Sequence, residues 1–428
     1  MPLAHPGLGP KNPAQPKEAH VRISPSKLAA KVASGNAFAE FVPPPEGITF
    51  NFDQGVADER TFPLADLERL GHRVAQEVGA RALHYIDFTG PMAGYADMTY
   101  GHLGLREALS KHIGEQQGRD VGPEGIMCTS GSVQAIDLIV HSYLNAGEGA
   151  ITEASTFGWT VKSINAAGGV LRTVPVDDQN VDPDDIERQF VEFQRAGIRP
   201  KLIYAGLTFQ APTGTVMPLD RRKRLLEIIH KWGVIMLEDN VYYDLRWDGE
   251  EVPTLFSLDD SGLVIQTSSF SKTVMPGIRL GWAAGTPEAL GPLAATRNDL
   301  GVSQWLARVM QLWMEEGSYW PHVERIIPHY REKRDAAAAA LRTYCGEFVE
   351  FTEPPGSFYI WARMADGIDW EEVRVRSYAN GIYFRPGERF SNDPEARRFF
   401  RMSFALNTPD EIDQGLKALG EVIRDCQQ

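Results

Sequence analysis

The sequence predicts an α/β protein in two parts: a large domain with a mainly parallel sheet between helices, and a smaller α+β domain. Two observations support this prediction. From about residue 100 to 290, short apolar runs alternate with segments of helical periodicity. After that, a long helical pattern is followed by strand-like runs and a last helix. The first arrangement is typical of doubly wound sheets, and the second is typical of α+β units.

The large domain is predicted from five short apolar runs that alternate with helical patterns. The predicted strands are 126–129, 150–152, 202–205, 234–237 and 264–267. Helical periodicity predicts helices over 133–144 and 219–232, and Gly233 is a typical stop after the second helix. Such alternation favours a parallel sheet with helices on both faces.

The small domain is predicted from the C-terminal third of the chain. A helical pattern covers 320–344, strand-like runs cover 358–361, 382–384 and 400–404, and a last helix covers 409–425. Phenylalanines spaced among prolines between residues 38 and 62 predict an extended segment that lies over another surface. We therefore expect these units: a flexible arm over 1–20, a segment over 21–65 that joins the small domain, a large domain over 66–305, and a small domain over 306–428.

Composition and charge are those of an ordinary globular protein. Of the 428 residues, 43% are hydrophobic and 23% are charged, and the formal net charge is -14. This charge repels nucleic acid and anionic membranes, so we expect neither as a partner. The sequence has no membrane-spanning apolar run and no signal-peptide pattern, and its three cysteines are too far apart for a disulfide framework or a metal site. We therefore expect a cytoplasmic location.

The segment from Thr267 to Lys272, followed by Arg279, carries the clearest chemical signal. Lys272 comes directly after Ser271, and Ser269 lies two positions before Ser271. An amine in this place can form a Schiff base with an aldehyde, while hydroxyls and a guanidinium bind a phosphate. Pyridoxal 5'-phosphate (PLP) is the common cofactor that has both groups, so the sequence predicts it.

Three more motifs follow predicted strands, where ligands gather in open α/β sheets. The Ser-Gly-Ser turn at 130–132 opens a helix and can bind an anion through backbone N–H groups, although taken alone it is better explained by helix capping by Ser130 or Ser132. Phe157 can stack on a flat cofactor or belong to the core. Asp239 can keep a pyridine nitrogen protonated, and Tyr242 can hydrogen-bond a ring hydroxyl. Helix capping by Asp239 is the alternative.

With these residues, the chain resembles the fold type I PLP-dependent aminotransferases of class I/II, in particular the branch of 2-aminoadipate and kynurenine aminotransferases. The resemblance covers about residues 45–425. It rests on the turns 130–132 and 210–214, Glu238-Asp239, the segment 269–272 and Arg401. The resemblance implies transfer of an amino group between an α-amino acid and a 2-oxo acid, and a homodimer with shared active sites.

The resemblance also implies a role for each site residue. The catalytic set is Lys272, which forms the Schiff base, with Asp239 and Tyr242. The implied cofactor contacts are Ser132, Val133, Ser269, Ser271 and Arg279 for the phosphate, and Phe157, Asp239 and Tyr242 for the ring; the implied substrate contacts are Arg401 and Gly55. Tyr95 is the candidate for a tyrosine that reaches the phosphate from the neighbouring subunit. Tyr85 and Tyr100 are the alternative candidates for this role.

Three features depart from the family pattern or stand outside it. The family turn has an asparagine that hydrogen-bonds the ring hydroxyl of the cofactor, and this chain has Ala211 there. Because a methyl group cannot donate, we expect weaker cofactor binding or a raised pKa of the Schiff base, unless a water or another side chain takes the place. The stretch 87–99 is longer than usual and lies at the family's substrate mouth. Arg385 is expected in a surface salt bridge, with an acidic substrate group as the alternative.

Two other functions remain open from the sequence. A PLP site of this fold also supports oxidation, racemisation, elimination or decarboxylation. A non-catalytic PLP-binding regulator carries a helix-turn-helix module ahead of a similar domain, and the first 45 residues are too short and too rich in proline for one. We therefore expect an enzyme, whose amino donor and acceptor the sequence does not identify.

Overall fold

The structure, a computed structural model, describes Ser26, residues 43–85 and residues 94–427. The predicted arm over 1–20 lies outside the described residues, as do much of the segment over 21–65 and most of the stretch 87–99. Among the described residues, no helix is long and apolar enough to cross a membrane.

The helices pack around two main sheets. They are α1 (Leu64–Glu77), α2 (Gly94–Tyr100), α3 (Leu103–Gln117), α4 (Ser132–Tyr143), α5 (Gly158–Ala167), α6 (Pro183–Arg195), α7 (Leu219–Trp232), α8 (Leu255–Leu258), α9 (Pro287–Thr296), α10 (Gln304–Glu315), α11 (Tyr319–Cys345), α12 (Trp370–Ala379) and α13 (Pro409–Asp425). α7 ends at Gly233, whose φ of 60° lies in the left-handed region that glycine adopts at low cost.

The strands are short and most are buried. They are β1 (Phe50–Asn51), β2 (Ile126–Thr129), β3 (Gly149–Glu153), β4 (Val170–Val174), β5 (Val176–Asp177), β6 (Asn180–Val181), β7 (Pro200–Ala205), β8 (Ile235–Asp239), β9 (Val264–Ser269), β10 (Gly281–Ala284), β11 (Val349–Phe351), β12 (Tyr359–Met364), β13 (Ile382–Tyr383), β14 (Arg385–Pro386) and β15 (Phe399–Ser403).

Within the described residues, the main sheet has seven strands in the order β2-β10-β9-β8-β7-β3-β4. β10 is antiparallel to both of its neighbours, and the remaining neighbours are parallel. Every residue of β2, β3, β8 and β9 is buried, as expected for strands that helices cover on both faces. The carboxyl ends of β2, β9, β8, β7 and β3 therefore meet at one edge of the sheet.

The predicted strands and helices of the large domain are all present, with ends that agree to within two residues. β4 and β10 escaped prediction because neither is a long apolar run. β4 is a partly exposed edge strand. β10 begins at Gly281, where a Cβ would lie 2.7 Å from the Ser268 carbonyl oxygen, so close packing requires a residue without a side chain.

The second sheet is antiparallel, in the order β11-β12-β15-β14. The long helix α11 and the last helix α13 were both predicted, and they pack against each other beside this sheet. Of the strand predicted over 382–384, residues 382 and 383 form β13, which pairs in parallel with β1, and the separate strand β14 joins the second sheet. Through β1 and the buried ring of Phe52, the segment around residue 50 joins the core of the small layer.

Helix α10 crosses the expected domain boundary at 305/306. Its buried residues Val309, Met310 and Trp313 pack with the core of the large layer. Along α11, Val323 belongs to that same core, and Tyr330 belongs to the core of the small layer. We therefore propose that the boundary lies within α11 rather than at 305/306.

A buried ion cluster attaches the N-terminal segment to α11. Asp58, which is 2% exposed, accepts hydrogen bonds from Lys333 Nζ at 2.5 Å, His329 Nε2 at 2.8 Å and Arg60 Nε at 2.8 Å. The Tyr330 hydroxyl accepts a hydrogen bond from the Asp58 N–H at 2.8 Å. Burial raises the pKa of Asp58, but hydrogen bonds from Arg60, Lys333 and His329 outweigh burial and hold it well below its usual value.

Asp58→Asn is expected to destabilise the protein by about 3–5 kcal/mol at pH 7, because Lys333 stays buried without its counter-charge. A carboxylate with a lowered pKa stabilises the fold above its unfolded pKa of about 3.9, and this contribution is lost as the pH falls through the folded pKa. The difference between the two proteins should therefore be full between pH 5 and 7 and shrink below about pH 4. Urea unfolding at several pH values measures it.

Asp366→Asn is the matched control, because the Asp366 side chain is 80% exposed in its ion pairs. Its effect should stay within about 0.5 kcal/mol. Equal effects of the two substitutions at pH 7 would contradict a stabilising role for the Asp58 cluster.

Candidate active site

A cavity of about 230 Å³ lies at the sheet edge where the parallel strands end, and the small layer forms its other wall. It brings together nine of the residues predicted from the sequence. They are Ser132, Val133, Phe157, Asp239, Tyr242, Ser271, Lys272, Arg279 and Arg401. This position agrees with the rule that ligands of open α/β sheets bind beyond the carboxyl ends of the strands.

Lys272 follows β9 and extends into the cavity. Its Nζ donates a hydrogen bond to the Gly55 carbonyl oxygen at 2.7 Å. Gly55 comes from the segment that joins the small layer, so the amine lies between the two layers. A Cβ on Gly55 would lie 1.7 Å from the Tyr359 hydroxyl oxygen, and the close approach therefore requires glycine.

One end of the cavity is suited to an anion. Helix α4 begins there at Ser132, and its N-cap is Gly131 with no side-chain cap, so the capping alternative for the serines is wrong. The first N–H groups of a helix have no partner within the helix and attract anions. Arg279 lies so close that a Cβ on Gly131 would be 2.8 Å from its Nη2.

Two serines continue the same end of the cavity. The Ser271 hydroxyl lines the cavity and lies 2.8 Å from the Ser269 hydroxyl, which is buried and donates to the Leu280 carbonyl oxygen. Ser269 does not line the cavity itself. It holds Ser271 in place, since its oxygen also accepts the Ser271 N–H at 3.1 Å.

Asp239 is the acid at the end of β8. It accepts hydrogen bonds from the Tyr204 hydroxyl at 2.8 Å and from the Val241 N–H at 3.3 Å. No helix begins in the residues after it, so the capping alternative is wrong here too. Burial raises the pKa of Asp239 to about 6, although Tyr204, Val241 and Lys272 each act in the opposite direction.

The neighbouring acid Glu238 has a structural task. It accepts hydrogen bonds from the N–H groups of Leu255 and Phe256, which begin α8, at 3.0 and 2.8 Å. Successive residues of a strand point to opposite sides, so only Asp239 of the two lines the cavity. The sequence analysis gave the cofactor role to Asp239 and named no task for Glu238.

Tyr242 lies deep in the cavity beside Lys272, whose Nζ is 5.4 Å from the centre of its ring. Its hydroxyl donates a hydrogen bond to the Tyr359 hydroxyl at 2.9 Å. Tyr359 comes from β12 and had been predicted only as part of a strand. In the antiparallel register Tyr359 pairs with Ser403, two residues after Arg401 on β15, so Tyr359 and Arg401 are diagonal neighbours on one face of the sheet.

Arg401 lies 4.0 Å from the centre of the Tyr359 ring and 4.8 Å from that of Phe390. Its Nη2 donates to the Asp53 carbonyl oxygen at 2.6 Å. Its Nε is buried and has no hydrogen-bond partner among the described residues. A buried guanidinium donor without a partner is suited to a ligand carboxylate.

Arg385 forms an ion pair, but the expected surface location is wrong. Its Nη2 donates to Asp53 Oδ2 at 2.7 Å, its Nε also contacts the same carboxylate, and Asp53 is buried. Asp53 is thus shared by Arg385 and Arg401, the latter with 3.6 Å between Nη2 and Oδ1. No pattern in the sequence predicted that Asp53 pairs with these arginines, because Asp53 is more than 300 positions away from both of them.

Four residues from the sequence analysis remain to be placed: Ala211 and the three candidate tyrosines, Tyr85, Tyr95 and Tyr100. Ala211 lines the cavity and offers a methyl group there, as expected. The side chain of Tyr95 lies outside the described part of the chain. Of the two other candidates, Tyr85 is 64% exposed, and Tyr100 is partly buried against the core of the large layer.

These residues fit PLP. Backbone N–H groups, Ser271 and Arg279 provide a site for an anion at one end of the cavity. In the same cavity, the buried carboxylate of Asp239 is suited to pair with a protonated pyridine nitrogen. Lys272 is the amine of this cavity. Among the described residues, no cluster of three or more histidine, cysteine or acidic side chains is arranged to hold a metal ion.

The fold and the cavity define a PLP-dependent enzyme of fold type I. The chain belongs to the family of aminotransferases of class I and II, whose model matches residues 69–419. It is 31% identical over 373 residues to aromatic-amino-acid aminotransferase 1 of Thermococcus litoralis, with 87% of each chain covered.

Two solved structures are similar over nearly their whole length. One is the α-aminoadipate aminotransferase of Thermus thermophilus in complex with N-(5'-phosphopyridoxyl)-L-leucine, at 28% identity and a TM-score of 0.81, covering 94% of this chain and 97% of the other. The second is the kynurenine aminotransferase of Pyrococcus horikoshii, at 29% identity and a TM-score of 0.80, covering 96% and 97%. The predictions of the fold, of an aminotransferase and of PLP as its cofactor are confirmed.

Asp239→Asn is expected to weaken binding of PLP at pH 8 by roughly 10- to 150-fold, the value of one hydrogen bond to a charged group. A carboxyl with a pKa near 6 is neutral below that pH and charged above it. The advantage of the wild type should therefore be greatest above pH 6 and shrink below it. Equilibrium dialysis of the apoprotein between pH 5 and 8 measures the difference.

Asp260→Asn, which removes an exposed carboxylate from the same layer, is the control and should not change the affinity. An affinity loss for Asp239→Asn that is the same at pH 5 and pH 8 would contradict the assignment of the charged carboxylate to the cofactor.

Proposed function

We propose that the chain catalyses transamination between an α-amino acid and a 2-oxo acid, with Lys272, Asp239 and Arg401 in the central roles. The observation that carries the proposal is that these three side chains face one cavity from different layers. Lys272 and Asp239 come from the large layer, and Arg401 comes from the small layer. An amine, a buried carboxylate and a carboxylate-binding arginine are the groups that this reaction requires.

Bound PLP supplies an aldehyde that condenses with amines and a protonated ring that accepts electrons. The side chains do the rest. Arg401 binds the α-carboxylate of the substrate through its free Nε and so fixes the direction of the Cα–H bond. The Lys272 amine would remove the proton from Cα of the amino donor, and in the second half-reaction it would deliver a proton to Cα of the amino acid formed from the acceptor. Asp239 keeps the proton on the ring nitrogen, and Tyr242 hydrogen-bonds the ring oxygen.

The phosphate is held by charge and by backbone. Arg279, Ser271 and the first N–H groups of α4 bind it, and Ser269 orients Ser271. Phe157 lines the cavity just before α5 and would stack on the ring. Gly55 leaves room beside the substrate and accepts a hydrogen bond from the free Lys272 amine.

The assembly and location are also part of the proposal. A homodimer with shared active sites, with Tyr95 as the residue offered to the neighbouring site, follows from the resemblance to the family. A cytoplasmic location fits the cysteines, which are all free: Cys128 and Cys345 are buried, and Cys426 is partly buried. Small amino acids and 2-oxo acids are the partners, without nucleic acid or membrane.

A panel of amino donors with a 2-oxo acid acceptor tests the activity. Aromatic amino acids and 2-aminoadipate belong in the panel because relatives carry these substrates in their names. We expect the acceptor to become its amino acid, mole for mole with the oxo acid from the donor, and without uptake of oxygen. Oxygen uptake, racemised donor or carbon dioxide in place of the new amino acid would assign the alternative chemistry.

Lys272→Ala is expected to abolish this turnover and the absorbance of covalently bound cofactor, because no other amine faces the cavity among its lining residues. Lys111→Ala, whose side chain is 76% exposed on α3, is the control and should keep both. Turnover that survives in Lys272→Ala would contradict the catalytic assignment.

Arg401→Gln is expected to raise KM for the amino donor by about 30- to 1,000-fold, because loss of a charged bidentate contact costs about 2–4 kcal/mol. Arg363→Gln is the control, since Arg363 lies on β12 and pairs with Glu350 and Asp366 at the surface. Steady-state kinetics measures both variants. A similar KM for both would place the carboxylate elsewhere.

A further inference from the structure

Tyr359 lines the cavity, and the family resemblance assigned no role to it. Its side chain is 4% exposed and its hydroxyl lies 2.9 Å from the Tyr242 hydroxyl and 3.5 Å from the Gly55 carbonyl oxygen. The Arg401 guanidinium lies over its ring at 4.0 Å from the centre. One side chain therefore touches the tyrosine on the cofactor side and the arginine on the substrate side.

The hydroxyl of Tyr359 adds to the hydrogen-bond donors that the cavity can offer to a ligand. A pair of phenols has two protons, and the bond between them uses one. In the ligand-free protein the other proton is that of Tyr359, whose hydroxyl donates a long hydrogen bond of 3.5 Å to the Gly55 carbonyl oxygen. A ligand acceptor in the cavity competes for this second proton, whichever phenol then carries it. Ala211 also lines the cavity and has no side-chain donor, so a hydroxyl of this pair is available to take the place of one.

The charges around the pair favour this arrangement. Burial raises the pKa of both phenols, and for Tyr242 the effect is large. For Tyr359, the positive charges of Arg401 and Lys272 outweigh burial and lower the pKa. The more acidic phenol is the better donor, so Tyr359 can donate to the Tyr242 oxygen when a ligand acceptor takes the Tyr242 proton, and this keeps the hydroxyl of Tyr242 oriented.

The ring of Tyr359 acts on Arg401 separately from the hydroxyl. The guanidinium lies between the rings of Tyr359 and Phe390, and Asp53 holds its Nη2. Contact with two rings restricts the orientation of the planar guanidinium. The N–H bond at the free Nε of Arg401 therefore points in one direction in the cavity.

We propose that Tyr359 is a positioning residue with two separable parts: its hydroxyl, paired with Tyr242, replaces the hydrogen-bonding capacity that Ala211 lacks toward the ring oxygen of the cofactor, and its ring orients Arg401 toward the substrate carboxylate. The inference rests on the proposed function and assigns to this chain's own residues the compensation that Ala211 requires.

The hydroxyl is tested with Tyr359→Phe, which keeps the ring. Removing a hydrogen bond from the pair weakens the donor that faces the ring oxygen, so the charged form of that oxygen is less stable. The midpoint of the pH titration of bound-cofactor absorbance should rise by about 0.5–1 unit, the size of one neutral hydrogen bond. Tyr143→Phe, which removes a hydroxyl bonded to the Ala289 carbonyl oxygen far from the cavity, should leave the midpoint unchanged.

A double-mutant cycle shows whether Tyr359 acts through Tyr242. In a Tyr242→Phe background, Tyr359→Phe should shift the midpoint by less than half as much as it does in the wild type. A full shift in both backgrounds, or no shift in either, would overturn the role of the hydroxyl. Ala211→Asn should restore the midpoint of Tyr359→Phe toward that of the wild type, and no restoration would overturn the link to Ala211.

The ring is tested by comparing Tyr359→Phe with Tyr359→Leu. KM for the amino donor should stay within about twofold in the first variant and rise by roughly 3- to 30-fold in the second, the range of a cation–π contact. Equal KM values would overturn the role of the ring. A wild type that binds PLP without any absorbance titration would overturn the proposed function as well, whereas an ordinary titration that is insensitive to Tyr359 overturns only this inference.

Discussion

A carboxylate that is buried at the end of a strand is the constraint on which the site depends. Asp239 is 8% exposed, and its hydrogen bonds come from a phenol and a backbone N–H rather than from a cation. Burial raises its pKa to about 6, so the charged form is costly in the ligand-free protein. A cationic ring nitrogen in the cavity stabilises the charged carboxylate. The unfavourable free energy of burying Asp239 alone is therefore relieved when the cofactor ring binds, which favours binding.

The rest of the cavity follows from the sheet. Because β2, β8 and β9 are parallel, the helix start at Ser132, the carboxylate of Asp239 and the amine of Lys272 come to one edge from three separate stretches of chain. The spacing between strands is fixed by backbone hydrogen bonds, so the positions of the anion site, the carboxylate and the amine are fixed with it. Rigid strands of this kind suit a reaction in which geometry decides which bond breaks.

The other wall depends on the segment from residue 50 to 61. Within it, Asp53 binds Arg401 and Arg385, Gly55 accepts from Lys272, and Asp58 is anchored by Lys333. This short segment therefore links the amine of the large layer to the arginine of the small layer. A shift of either layer would change the distance between the proton-transferring group and the substrate carboxylate.

Much of the fold and of the site could be predicted from the sequence. The features that could not be predicted were missed for physical reasons that particular residues show. Strands β2 and β9, helix α7 and the group from Ser269 to Lys272 were predicted because their signals are local in sequence. The contacts of Asp53 with Arg385, Asp58 with Lys333 and Tyr242 with Tyr359 join residues 332, 275 and 117 positions apart, and no local pattern reports such pairs. The antiparallel β10 was missed because its four residues, Gly-Trp-Ala-Ala, do not form a run of typical strand residues, and close packing requires glycine at position 281.

Reduction of the cofactor-loaded protein with borohydride, followed by peptide mass spectrometry, tests the central claim most directly. The account predicts that one peptide, the one that contains Lys272, carries the reduced pyridoxyl phosphate, and that Asp239→Asn lowers the labelled fraction at limiting cofactor. Labelling spread over surface lysines, or an unmodified Lys272 in a protein that binds the cofactor, would contradict it.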